Sequence, residues 1–220
     1  MQLIVKGFLV VFGMAIIGLG YFIGVHLASQ ARTQAELAES LPAVGAASLA
    51  ASTPNTPILV EGVISPNNPT PFRDFVAYVR QEFRGADQNG DEKWEEDERV
   101  TPRLWLEAAG PVRLANSDYA IEGPHQRWQE EGLNWNRRSQ EGSKRYFGLV
   151  AGEPAIALGA VSAGAAGNEL RAALVYGGTR EQYIAAQRAS LGWMQPVGLA
   201  VALAGGGLIL FATWGLRRWR

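Results

Sequence analysis

The sequence has no cysteine and only two histidines, His26 and His125, in 220 residues. The first absence excludes disulfides and thiolate metal sites and removes the usual staple of exported domains, so any core has to hold by burial alone. The second leaves a single imidazole between the two apolar ends, and one imidazole makes neither a metal centre nor a catalytic triad. His125, in the polar stretch GPHQRW, therefore reads as a surface or structural residue. Net charge is nearly missing as well: 20 basic and 21 acidic residues leave −1, which gives no electrostatic footprint for nucleic acid or for an acidic substrate. There is no Gly-x-Ser-x-Gly elbow and no glycine-rich phosphate loop followed by lysine. No catalytic, cofactor-binding or metal residue is assigned from the sequence, and the expectation is a non-enzyme without a cofactor.

What the chain does contain is two long apolar runs, which its near-zero mean hydropathy averages away. Residues 7–25 carry no charge and match the roughly 20 residues that a helix needs to cross ~30 Å of hydrocarbon. The rival reading is a signal peptide, with Lys6 as its basic start and Ser29-Gln30-Ala31 as a cleavage site. Signal peptides, however, have a shorter apolar centre of ~7–15 residues. A transmembrane helix is expected over residues 7–28. A second is expected over 191–216, bounded by Trp193 and Trp214 and followed by Arg217, Arg218, Trp219 and Arg220, as suits aromatic and basic residues at a headgroup layer. Gly205, Gly206 and Gly207, with Gly13, Gly20 and Gly24 on the first helix, offer places where helix backbones approach closely.

Positive charge is retained in the cytoplasm. Lys6 precedes the first helix and the arginines follow the second, so residues 1–6 and 217–220 are expected on the cytoplasmic side. Two crossings put both ends on one side, in agreement with the charges. The middle is then periplasmic or extracellular, or in the intermembrane space if the source is an organelle.

Within the middle, residues 29–56 are rich in alanine and serine and read as a linker. The part before Leu41 extends the membrane helix, and Pro42 stops it. From residue 57 to 190 short β-branched and aromatic runs alternate with Gly, Pro and Asn, which is the texture of strands and turns. FVAYVRQEF alternates with a period near two, DQNGDEK forms a hairpin tip and WEEDERVTP returns. RLWLEAAGPVRLA gives two short strands, and two longer ones follow a polar stretch over 119–142. Residues 179–190 start a helix that runs into the second membrane segment. The fold class is membrane-anchored α+β: a mainly β extracytoplasmic domain flanked by two transmembrane helices.

Asp87, Asn89, Asp91 and Glu98 fall at positions 1, 3, 5 and 12 of a calcium-binding loop. The sixth position, normally glycine, is Glu92, and the flanks have strand periodicity. Two readings stay open: a solvated hairpin tip with a type I′ turn at Asn89-Gly90, and weak calcium binding by the same carboxylates. Gly177-Gly178-Thr179 before a helix reads as a strand-to-helix turn, the alternative being an anion at the helix start. Trp94 and Trp105 are expected in the core. Trp128 and Trp135, the latter beside Arg137 and Arg138, are expected to contact a partner or the membrane surface.

These pieces, in this order, form a pattern. It comprises Glu61-Gly62 with Pro66, the FVAYVRQEF strand, Trp94 with Asp97 and Arg99, Thr101-Pro102, Leu104 and Pro111-Val112-Arg113. It closes with Glu153 and Gly159, Leu170-Arg171, Gly177-Gly178, Tyr183, Gln187 and Arg188, and then Trp193 at the last helix. The pattern resembles the GIDE, or "beside a membrane", domain of the membrane-anchored mitochondrial ubiquitin ligase family, over residues 57 to the C-terminus. In that family a cytosolic zinc-binding RING follows the second helix and transfers ubiquitin. A chain without cysteine and with two histidines builds no RING site, so ligase activity is not expected here. The function expected is a non-enzymatic accessory or scaffold subunit whose domain and helices contact membrane proteins of a larger complex and the lipid bilayer. The alternative is a free-standing sensor or binding module for a small ligand or ion.

Overall fold

The computed structural model describes residues 2–164 and 167–214. The chain divides into two compact units, residues 1–39 with 184–220, and residues 40–183. The arginines and Trp219 that carry the C-terminal charge reading lie outside the described residues.

The first unit is helical. Helix α1 (Gln2–Tyr21) passes through a π-helical turn (Phe22–Leu27) into α2 (Ala28–Ser40). The later part of α4 (Arg180–Thr213) lies antiparallel to this stretch. Val5–Ser40 and Arg180–Thr213 are each long and apolar enough to cross a membrane. They meet through glycine: a Cβ built on Gly20 would lie 2.6 Å from the Ala202 nitrogen and the Gly198 oxygen, and one on Gly13 would lie 2.8 Å from the Gly205 oxygen. Any side chain at these positions forces the backbones apart, so the close approach exists because the residues are glycine. Gly24 faces Gly198, whereas Gly206 and Gly207 face open space and take no part. Gly198, which the sequence reading does not single out, is the centre of the seam.

Towards α2 the seam is continued by alanines. Ala28, Ala31, Ala35 and Ala38 are all buried, and Glu39 at the helix end pairs with Arg188 of α4. The positions that approach α4 or are buried, Gly13, Ile17, Gly20, Gly24, Ala28, Ala31, Ala35 and Ala38, alternate fours and threes except for two successive fours around Gly24. Two such steps carry an α-helix about 80° round its axis. They coincide with the π turn, whose wider turn absorbs that rotation and keeps the small residues on one side. The segment read as an Ala/Ser linker, 29–56, is accordingly helical in its first part, because alanine is both the best helix former and small enough to be covered at close range.

The rest of that segment belongs to the second unit. Val44 donates its N–H to the Leu59 carbonyl, and α3 (Ala46–Ala51) places Leu49 in the domain core. Residues 42–56 are thus tied down by packing, contrary to the linker reading.

The domain is mainly β. A six-stranded sheet has the order β5-β4-β1-β11-β12-β6, formed by Pro111–Arg113, Trp105–Glu107, Pro57–Ile64, Pro154–Gly164, Gly167–Gly177 and Ala120–Glu122. A four-stranded sheet has the order β3-β2-β10-β7, formed by Glu92–Val100, Phe75–Ala86, Lys144–Val150 and Gln126–Gln129. A small ribbon joins β8 (Trp135–Asn136) to β9 (Glu141–Gly142). Among the described strands the β6–β12 pairing is parallel and the other pairings are antiparallel, with isolated parallel bridges at Ala43–Leu59 and Leu114–Leu170. One core is shared by both sheets: Ile58, Val60, Leu106, Ala157 and Val175 from the first, Val76, Ala77 and Leu149 from the second, with Leu49, Leu104 and Tyr119. β7 to β9 arise inside the polar stretch 119–142, where no apolar alternation announces them.

Helix α4 begins with a capping box: the Thr179 N–H donates to Gln182 Oε1 at 2.9 Å, and the Gln182 N–H donates to Thr179 Oγ1 at 3.3 Å. The helix then runs without interruption to Thr213, past Pro196.

The seam sets the first test. Gly20→Val should destabilise the helix pair by about 1–3 kcal/mol, the usual cost of overpacking, while Gly207→Val should leave it unchanged. Thermal unfolding of the full chain in neutral detergent, followed by circular dichroism, reads the difference; equal melting of the two variants would show that these backbones do not touch.

Candidate functional site

Strand β2 is 12 residues long. Its first residues serve the core, while Arg80–Ala86 extends past it with β3 and β10 alongside. Alternation then divides the side chains between two faces.

On one face, Arg80 grips Asp97 with two nitrogens, Nε 3.1 Å from Oδ1 and Nη2 3.0 Å from Oδ2, and its Nη1 lies 2.7 Å from Glu98. Lys144, opposite Glu82 in the β2–β10 register, donates to Glu82 and stands 3.7 Å from Asp97. Arg84 approaches the other Glu82 oxygen at 2.6 Å, and the Gly142 N–H donates to Glu82 at 2.9 Å. Burial pushes the Glu82 carboxyl up, but Lys144, the Gly142 N–H and Arg84 together outweigh it and hold the group below the ordinary carboxylate range. Asp97 follows the same balance, with Arg80 and Lys144 overcoming its burial. The Asp97 hydrogen bond in turn holds the Arg80 guanidinium firmly protonated. Beside this network Phe72, Phe75, Tyr78, Trp128 and Tyr146 form an aromatic cluster, with Phe72 stacked on Tyr146 at 4.1 Å. Every charge here is answered by another, which makes the face a rigid clasp among three strands.

The opposite face is different. Arg145 on β10 lies 4.1 Å from the Trp94 ring and 5.3 Å from that of Phe147, and Arg127 on β7 lies 5.1 Å from Phe147. In the register Phe147 faces Arg127 and Arg145 faces Gln129, so the two arginines are diagonal neighbours across the strand pair. Arg145 donates Nε to Gln81 Oε1 at 2.8 Å. Among the described residues neither guanidinium forms an ion pair. A shallow pocket of about 160 Å³ opens between these side chains. Burial lowers the pKa of Arg145; Glu92 partly opposes this, and the charge of Arg127 adds to it.

The residues marked in the sequence are not brought together. Asp87 closes the β2–β3 hairpin by accepting the N–H groups of Asn89 and Asp91 at 2.8 and 3.0 Å, while Glu98 stands on β3 paired with Arg80. Of the turn residues only Gly90 has positive φ, at 88°. The tip is therefore a three-residue loop ending in a left-handed glycine, and not a type I′ turn, which needs positive φ at Asn89 too. No group of three or more acidic or histidine side chains among the described residues is placed to hold a metal ion. His125 accepts the Val150 N–H at Nδ1, 3.0 Å, and Nε2 lies 2.8 Å from the Pro154 carbonyl. An N–H can only donate and a carbonyl only accept, so these partners fix the tautomer with the proton on Nε2. Its role is to pin the β10–β11 turn. Gly177-Gly178-Thr179 is the turn into the α4 capping box.

Trp105 is 38% exposed and Trp94 half-buried, so neither is core material, because β3 and β4 lie at or near sheet edges. Trp128 packs in the aromatic cluster with Arg73 over its ring at 4.5 Å, and Trp135 lies under Arg84 at 5.2 Å. Sequence reasoning missed Glu82, Lys144, Arg127 and Arg145. The alternation of Arg80, Glu82 and Arg84 was a visible sign of a charged face; the partners from β7 and β10 appear only once the register is known.

Comparison with protein-family models, curated proteins and solved structures finds no match for this chain.

The Glu82 cluster makes stability depend on pH with a definite sign. A carboxylate held low in the fold stabilises fully above its unfolded pKa of about 4.3, and that stabilisation is lost as pH falls through the lower folded value. Denaturant unfolding should show a loss of stability below about pH 4 that Glu82→Gln flattens. The variant should also cost roughly 1–3 kcal/mol at pH 7, because Lys144 and Arg84 lose their partner. An unchanged pH profile in the variant would show that Glu82 is not held low.

Proposed function

We propose that the chain is a non-enzymatic, membrane-anchored accessory or scaffold subunit, whose β domain sits outside the cytoplasm and whose helices and domain contact membrane proteins of a larger complex. The observation that carries this reading is the inverted distribution of side chains in the helical unit. Glycine and alanine are inside, while Phe8, Val11, Phe12, Leu19, Val197, Leu199, Leu203, Leu210 and Phe211 are exposed. In water that arrangement wastes the hydrophobic effect; in lipid, where apolar side chains gain nothing by hiding and backbones gain by approaching, it is the stable one.

The orientation rests on Lys6 and the C-terminal arginines. The non-enzymatic reading rests on chemistry: Lys144 is committed to Glu82 and Asp97, His125 to Val150 and Pro154, and Asp87 to its own turn. The GIDE-like pattern supports the same picture of a domain held close to a membrane.

Two measurements test the proposal. Protease added to intact spheroplasts should degrade the domain while tags at both termini stay protected; an accessible C-terminal tag overturns the topology. Extraction in mild detergent followed by native sizing should show the chain migrating with other membrane subunits, and a lone monomer would overturn the scaffold role.

A further inference from the structure

On the face carrying Arg127 and Arg145, neither guanidinium has an ion-pair partner among the described residues. The opposite face of the same sheet shows that this sequence supplies carboxylates where they are needed to neutralise cations: Asp97, Glu98 and Glu82 all face Arg80, Arg84 or Lys144. On the arginine face two guanidiniums stand diagonally across β7 and β10, fixed by stacking on Phe147 and Trp94 and by the Gln81 hydrogen bond. Glu92, whose charge acts on Arg145, accepts the Trp94 indole N–H at 2.9 Å and makes no ion pair with Arg145 among the described residues. Fixing two like charges beside each other costs free energy, and it is tolerated at places where a ligand relieves it.

We infer that the pocket bounded by Arg127, Gln129, Arg145 and Phe147 binds a phosphate monoester that carries an apolar or aromatic body. Two guanidinium forks match the oxygens of a dianion and hold it by charge-assisted hydrogen bonds. Gln129, the register partner of Arg145, also lines the pocket and offers an amide, and the Phe147 ring provides a surface for the body of the ester. A monocarboxylate satisfies one fork and leaves the other unanswered, which is why the phosphate class is preferred. Such a group comes either from a soluble ester or from the headgroup of a phosphatidic-acid-like lipid. The inference stands on the domain alone and does not rest on the scaffold reading.

The test uses the full chain purified in neutral detergent, titrated calorimetrically with phenyl phosphate at chloride-matched ionic strength. A saturable one-to-one isotherm is expected, weakened at least about tenfold by Arg127→Met and by Arg145→Met. Arg145→Lys, which keeps the charge but loses the fork, should fall between. Arg171→Met, at an exposed arginine on another strand already paired with Asp118, should bind as wild type. Arg127 is exposed on an edge strand, so its variant retains the fold even if that of Arg145 does not. Repeating the titration in phosphatidylcholine nanodiscs with and without phosphatidic acid separates the sources: loss of the isotherm when phosphatidic acid is present assigns the site to a lipid headgroup, and retention assigns it to a soluble ester. No isotherm beyond the chloride control, or one unaffected by both methionine variants, overturns the inference.

Discussion

Strand β11 is paired along both edges, to β1 over Pro154–Ala160 and to β12 over Ala155–Gly164. Both its faces are buried as well: Ala155 and Ala157 enter the shared core, while Ile156 and Leu158 are covered on the other side. A strand in this position carries the hydrophobic stabilisation of two layers, and in a domain without disulfides nothing else is available to replace it. β1 hangs β4 and β5 on one flank, β12 hangs β6 on the other, and the turn before Pro154 is held by His125. The alanines and Gly159 along β11 leave little room for change, since a Cβ at Gly159 would run into the Arg171 carbonyl at the bulge.

Much of the architecture was legible because it depends on local pattern. The two apolar runs, the alternation in FVAYVRQEF and the helix start at Thr179 are each properties of contiguous residues, and helix α4, strand β2 and the capping box are where those patterns place them. The resting place of residues 42–56 was not legible, because Leu49 acquires its core position only through contact with distant strands. Trp105 misled for the related reason that strand membership says nothing about which face, or which sheet edge, a residue will occupy. The arginine face was invisible in the same way. Arg127 and Arg145 are 18 positions apart and become neighbours only through the β7–β10 register.

The two faces of the four-stranded sheet illustrate a division of labour built from one alternation. Buried or half-buried charges that meet their counterions hold three strands in register, since removing either partner strands the other in a site of low polarity. Charges that meet aromatic rings and a neutral amide are fixed in direction without forming an ion pair. The helical unit expresses the same economy in an apolar setting: side chains too small to stabilise by themselves let backbones close on each other, and the bulk is turned outward.

Strand β3 ends its sheet with one edge unpaired, and seven of its nine residues are charged, of both signs but mostly acidic. A domain held at a membrane surface, as proposed above, would meet its own copies far more often than one free in solution, because it would diffuse in a plane and in a fixed orientation. An open edge of β-branched or aromatic residues would there invite strand-by-strand polymerisation. The charged side chains along β3 oppose that event, because pairing a second strand there would desolvate them.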